Sequence, residues 1–247
     1  MDEQTPEHIS RMDWRINNLT WTTAPFTPPG SSTPVPPGTA VTEAAIIYHG
    51  KEDIGISIPN ATALLLNLSQ ISHLQAEQLI SKCLSNKDEF SHLPDSDVFA
   101  FYEQMMASIV FAYTSLESFV NEELPDEYIH IVVDKKKSPK NYNKEQIERH
   151  LSLDIKLRDV LPAVLKIKSL KDDKTIWEDF QKLQSIRHRI IHMKTSDRNY
   201  RGGDKDSIWN VILSKPLIKT YATAKNIMYY FLKSKNKIPR WFDKCDF

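Results

Sequence analysis

The stretch Asp172-Asp-Lys-Thr-Ile-Trp-Glu-Asp-Phe-Gln-Lys-Leu-Gln-Ser-Ile-Arg-His-Arg-Ile-Ile-His-Met-Lys194 decides the fold. Its apolar residues keep a spacing of 4, 3 and 7 positions: Ile176, Phe180, Leu183 and Ile190. This spacing predicts the buried face of a helix in a bundle. Arg187 stands at the one position of the series where an apolar residue is expected and absent. A guanidinium keeps its charge when it is buried, so Arg187 requires carboxylates, water or an anionic ligand. Its charge is therefore either a paired structural charge or a functional one.

The composition favours a helical protein with one main domain. Of the 247 residues 40% are hydrophobic, and only 6 are glycine, which argues against an all-β fold or a glycine-rich phosphate loop. Cys83 and Cys245 lack a metal-binding spacing, so we expect free thiols in a reducing compartment. The acidic first segment does not resemble a secretory signal, and no apolar stretch approaches membrane-spanning length. We expect a cytoplasmic protein that does not insert into a membrane.

The formal net charge of zero is the sum of an acidic half and a basic half. Residues 1–130 carry 5 Lys and Arg against 18 Asp and Glu. Residues 131–193 carry 15 against 9, and residues 194–247 carry 12 against 5. The basic half could attract a polyanion in a salt-sensitive way. Ordinary solvated helix faces would explain the same charges, and on charge alone this second interpretation is preferred.

The chain is predicted to contain three segments. Residues 1–42 are interpreted as a largely irregular proline-rich arm or linker, because six prolines fall between positions 25 and 37. Residues 43–92 are predicted to form a small hairpin and a helix, since isoleucines alternate with Gly55 and Ser57 before Pro59. Residues 93–247 are predicted to form the main helical bundle.

Four long helices with apolar stripes predict this bundle, at residues 95–124, 152–168, 172–193 and 216–233. The clearest stripe advances by three and four positions through Tyr102, Met105, Ile109, Ala112, Leu116 and Phe119. On the flank of that helix, Tyr113, Glu117 and Asn121 form a polar row. Glu117 could reach an arginine of a neighbouring helix, or it could be a solvated charge.

Arg187, His188 and His192 form the one group with evident chemical capacity. The two imidazoles are four residues apart on one helix face, and imidazole exchanges protons near neutral pH. A histidine can take the proton of a ribose 2′-hydroxyl or protonate the leaving 5′-oxygen, while arginine stabilises the phosphate, without any metal. Arg187 and His192 lie about 140° apart on an unbroken helix. They can meet at one phosphate if the helix ends there or if a second subunit completes the site.

This pattern resembles the HEPN superfamily, the higher eukaryotes and prokaryotes nucleotide-binding domains. The family's arginine, polar position and histidine fall on Arg187, His188 and His192, although Asn or Asp is more usual at the second position. The preceding Trp177-Glu-Asp-Phe180 and the upstream Ser115-Leu-Glu-Ser-Phe-Val-Asn121 add to the resemblance, which covers roughly residues 95–235.

The resemblance implies an all-α helical bundle of HEPN type that forms homodimers. It also implies a metal-independent endoribonuclease without a cofactor, of the toxin or phage-defence type, with RNA as substrate and an antitoxin or regulatory protein as partner. Glu117 and Asn121 would support the site. Lys135, Lys136 and Lys137 could contact phosphates, although a solvated lysine loop is the commoner explanation.

The alternative function is a non-catalytic HEPN-like helical module that binds nucleotide, nucleic acid or a protein. In that case Arg187 would be a buried charge paired with Glu117.

His188 and His192 could supply half of a metal site, but no cysteine or nearby carboxylate completes the ligand set, so we predict no metal. Lys182 and Arg189 are interpreted as surface charge.

Overall fold

The computed structural model describes residues 12–28, 30–85, 94–132, 138–198, 206–214, 217–235 and 238–244. The prediction of a mostly helical protein is confirmed, with 58% helix and 13% short strands. No helix in these ranges is long and apolar enough to cross a bilayer. The chain divides into two compact units, residues 1–64 with 239–247, and residues 65–238. The sequence predicts segment boundaries after residues 42 and 92 instead.

Most of the regular structure is helical, and each of the described sheets has two antiparallel strands. The strand pairs are β1 (Thr20–Trp21) with β2 (Ala40–Val41), β3 (Ala44–His49) with β4 (Glu52–Ser57), and β5 (His130–Val132) with β6 (Lys140–Tyr142). The helices are α1 (Ala61–Ser85), α2 (Asp95–Glu122), α3 (Lys144–His150), α4 (Leu153–Ile155), α5 (Leu161–Leu165), α6 (Lys174–Ile191), α7 (Thr195–Arg198), α8 (Ile208–Leu213), α9 (Thr220–Leu232) and α10 (Arg240–Lys244).

The first unit contains two of the small sheets. The proline-rich segment, expected to be largely irregular, folds back on itself: β1 pairs with β2, and Phe26 bridges to Val35. Gly30 and Gly38 have φ angles of 79° and 80°, a left-handed conformation that glycine adopts without strain. These turns explain how prolines, which disfavour long ladders, remain compatible with two-residue strands.

The bundle of the second unit is centred on α2, which packs against α6 and α9. Most of the predicted α2 stripe is at most 1% exposed: Met105, Ile109, Ala112, Leu116 and Phe119. From the neighbouring helices come Phe180 and Phe231, which are fully buried. Burying a side chain of this size contributes about 1.5–3 kcal/mol, so the stripe accounts for the position of α2.

Helix α6 is two residues shorter at each end than the predicted range of 172–193. The carboxylate of Asp173 caps its start by accepting a hydrogen bond from the Ile176 N–H at 3.2 Å. His192 follows its last residue, with φ and ψ of −118° and 52°, while its N–H still donates to the carbonyl of His188. The helix therefore ends inside the arginine–histidine segment.

The helix predicted at residues 152–168 is composite. A π-helical turn, Lys156–Val160, joins α4 to α5, and Pro162 lies in the first turn of α5, where a missing N–H is tolerated. The side chain of Lys156 is directed inward from this turn, and the residue is 4% exposed. The extra backbone width of a π turn brings this cation opposite α2, where its Nζ donates to Asn121.

A buried histidine lies on α1. His73 is 2% exposed. Its ring forms an edge-type contact with the ring of Tyr221, with the centroids 5.3 Å apart, and its Nε2 is 3.4 Å from a Glu77 carboxylate oxygen. Its Nδ1 has no hydrogen-bond partner among the described residues. Burial lowers the pKa of His73 and Lys219 lowers it further, while Glu77 opposes the change. His73 is therefore favoured in its neutral form in the fold.

We predict that His73 makes the stability depend on pH. The unfolded chain binds a proton near the ordinary histidine pKa of about 6.5, whereas the folded chain does so only at lower pH. The free energy of unfolding should therefore fall as the pH drops below that value, by at most about 1.4 kcal/mol per pH unit. Urea unfolding at several pH values should show this dependence in the parent and in His49→Gln, but less of it in His73→Gln. Equal pH dependence in His73→Gln would contradict the assignment.

Candidate functional site

The C-terminal half of α6 lines an open cleft of about 560 Å³. The lining residues come from α2, α6 and the segment after α6: Tyr113, Gln181, Gln184, Ser185, Arg187, His188, Arg189, His192 and Lys194. Five of them are cationic or can become cationic, and no Asp or Glu is among these described lining residues. The charge of the cleft suits an anion.

Arg187 lies at the edge of the buried face of α6. That face continues from Leu183 through Ile186, which is 8% exposed, so the arginine is displaced to the side and is half-buried. Its guanidinium carbon is 4.9 Å from the centre of the Tyr113 ring. Among the described residues, Nε is buried without a hydrogen-bond acceptor and no carboxylate forms an ion pair with Arg187. The aromatic face therefore holds a cation whose charge no described residue neutralises.

Tyr113 is itself fixed by two residues of α6. Its ring stacks on Phe180 with centroids 6.5 Å apart and planes inclined by 14°, and Nε2 of Gln184 donates to its hydroxyl at 3.5 Å. Burial raises the pKa of Tyr113, with Glu117 contributing in the same direction. The phenol is therefore neutral at physiological pH, and it forms a rigid wall of the cleft.

His188 and His192 lie together at the rim of the cleft. Their ring centroids are 4.7 Å apart, and both residues are exposed. Because α6 ends at Ile191, Arg187 and His192 both line the cleft, although an unbroken helix would separate them. In the described part of the chain, no group of three or more His, Cys, Asp or Glu is arranged to hold a metal ion.

Arg189 has a structural role, which corrects its interpretation as surface charge. Its Nη2 donates to the carboxylate of Asp197 and, at 2.8 Å, to the carbonyl of Asp206. Asp197 is 3% exposed, and its hydrogen bond from Arg189 lowers its pKa against the effect of burial. The pair fixes the chain that follows α6.

The sequence alone does not single out Asp197, because the segment that follows Lys194 is polar and has no helical periodicity. Its carboxylate also accepts from the Ile208 N–H at 3.3 Å, and its carbonyl accepts from Trp209 Nε1 at 2.9 Å. Asp197 thus links the end of α6 to α8. No local periodicity connects positions 189 and 197, so the sequence carries no signal for this pair.

Glu117 and Asn121, which the sequence predicts to support the site, are not among the residues that line the cleft. The Oδ1 of Asn121 accepts from Lys156 Nζ at 3.1 Å, and the Glu148 carbonyl accepts from the same amine at 3.1 Å. Burial lowers the pKa of Lys156, while Glu117 opposes this change. Glu117 forms no ion pair with Arg187 in the described ranges, because Tyr113, one turn earlier on the same row, occupies that place. Lys135, Lys136 and Lys137 lie outside the described residues.

Comparisons of the chain with protein-family models, with curated proteins and with solved structures give no match. The similarity to HEPN domains therefore depends on the motif residues and their helical context alone.

We predict that Arg189→Ala destabilises the fold more than Arg187→Ala. The first change leaves the Asp197 carboxylate without its cation, which costs about 1–3 kcal/mol. The second removes a contact with an aromatic face and leaves no carboxylate unpaired, so its cost should be about 1 kcal/mol or less. Urea unfolding of the two variants beside the parent measures the difference. A larger loss for Arg187→Ala would support the alternative in which Arg187 is a structural charge.

Proposed function

We propose that the protein is a metal-independent endoribonuclease of HEPN type that cleaves RNA by attack of a ribose 2′-hydroxyl. One observation carries this proposal: Arg187 has no carboxylate partner among the described residues, and it lies beside two imidazoles in a cleft whose described lining contains no Asp or Glu. Phosphodiester cleavage without a metal needs groups that exchange protons, such as imidazoles, and a permanent cation.

In the proposed reaction one imidazole removes the proton of the 2′-hydroxyl as its oxygen attacks the adjacent phosphorus. The bond from phosphorus to the 5′-oxygen breaks, and the second imidazole protonates that oxygen as it leaves. Arg187 donates hydrogen bonds to the non-bridging oxygens, where negative charge increases in the transition state. The products are a 2′,3′-cyclic phosphate and a 5′-hydroxyl. His192 and His188 are the two proton carriers, with Lys194 adding positive charge at the rim.

The biological setting that we propose follows from the resemblance. The protein would act in the cytoplasm as a homodimer, in a toxin–antitoxin or phage-defence system, with an antitoxin or regulatory protein restraining it. The open rim at His188 and His192 is compatible with a second copy approaching the cleft.

A second candidate is a non-catalytic module that binds a phosphate-bearing ligand in the same cleft. One observation favours it: among the described residues neither His188 nor His192 has a hydrogen-bond partner for its ring, and both are exposed. Catalytic histidines are usually oriented by a third group. In this case the cleft would bind RNA without breaking it.

We predict that the purified protein cleaves labelled RNA in the presence of EDTA, and that Arg187→Ala and His192→Ala each lower the rate at least about a hundredfold. Analysis of the product ends should show 2′,3′-cyclic phosphates for the parent. Activity that requires a divalent metal would contradict the mechanism.

The matched controls are Arg149→Ala and His150→Ala. Both residues are exposed, belong to α3 and are absent from the cleft lining. These variants should cleave at the parental rate. If they lose activity as Arg187→Ala and His192→Ala do, the loss is not specific to the cleft. RNA binding by the parent with no cleavage of several RNAs would favour the second candidate.

A further inference from the structure

We propose that Tyr113 is the positioning residue of the cleft: its ring holds the guanidinium of Arg187 where an RNA phosphate must bind. This inference rests on the proposed function. The sequence interpretation places Glu117, not Tyr113, next to the arginine, and the resemblance assigns no role to Tyr113.

The surroundings of Arg187 confine its side chain before any ligand binds. An arginine side chain has several freely rotating bonds, and a phosphate that binds it must overcome the entropy of ordering them. Here Nε is buried without an acceptor among the described residues, and the guanidinium lies 4.9 Å from the Tyr113 centroid. The four N–H groups on Nη1 and Nη2 are the ones left to meet an anion. Ordering before binding favours tighter phosphate contact.

Tyr113 is held rigidly by its neighbours in the core. The residue is 6% exposed on α2, and its ring stacks on Phe180, which is fully buried. Trp177 contacts the same phenylalanine, with centroids 5.2 Å apart. Because close-packed rings move only when their neighbours move, the core of the bundle fixes the plane on which Arg187 rests.

The Tyr113 ring holds Arg187 without neutralising its charge. A carboxylate in this place would neutralise Arg187 and compete with the phosphate, as would a phenolate. The Tyr113 ring attracts the cation through its π face and stays neutral. It therefore fixes the arginine and leaves its positive charge available to stabilise the transition state.

The test compares Tyr113→Leu with Tyr113→Phe. The leucine variant lacks the π face, so kcat/KM for RNA cleavage should fall roughly three- to thirtyfold, the range expected for one cation–π contact. The phenylalanine variant keeps the face and should stay within about twofold of the parent. Phe119→Leu is the matched control, because it removes a buried ring from the same helix away from the cleft. All rates are measured below the melting temperature of the least stable variant.

An NMR measurement separates this inference from the nuclease proposal. The Arg187 Nε–Hε signal, assigned by its loss in Arg187→Lys, should be shifted by the ring current in the parent, Tyr113→Phe and Phe119→Leu. In Tyr113→Leu the chemical shift of this signal should return towards that of free arginine. An unchanged signal in Tyr113→Leu overturns the positioning role, and so does unchanged cleavage in Tyr113→Leu when the parent is active. A parent that cleaves no RNA while the signal responds as expected contradicts the nuclease and supports the positioning of Arg187.

Discussion

The contact between Tyr113 of α2 and Arg187 of α6 is the interaction on which the candidate site depends. It exists only because the two helices pack together, with Phe180 behind the tyrosine ring. The packing of α2 against α6 thus has two consequences. The apolar stripe of α2 stabilises the bundle through burial, and Tyr113, on the flank of that stripe, places an aromatic ring against Arg187 at the edge of the buried face of α6.

Different partners surround three of the partly or fully buried cations in the second unit: Lys156, Arg187 and Arg189. Lys156 donates to Asn121 and to a backbone carbonyl, and Arg189 donates to Asp197. Arg187, in the described part of the chain, has an aromatic face instead of an oxygen partner. Oxygen partners satisfy a cation and make it structural, whereas a π face leaves its donors free. This contrast distinguishes Arg187 from its neighbours more clearly than sequence position does.

The sequence predicts those features that depend on one helix at a time. The α2 stripe, the approximate range of α6 and the grouping of Arg187, His188 and His192 follow from periodicity and spacing. Features that depend on two elements are not predictable in this way. Whether Tyr113 or Glu117 meets Arg187 is set by the angle and offset between two helices, since both occupy one polar row. The pairing of Arg189 with Asp197 is set by the path of a connecting segment, for which local residue patterns carry no information.

The π-helical turn at Lys156–Val160 makes the bundle sensitive to chain length at one point. A π turn contains one residue more than the α-helix that would replace it. Deleting a single residue there would restore regular α-helical winding and leave the flanking segments in register, because the α-helix that replaces the π turn spans it with one residue fewer. The extra width that brings Lys156 opposite Asn121 would then be lost, while α5 kept its contacts with α9. Substitutions in this turn preserve the π turn, whereas a one-residue deletion would remove it.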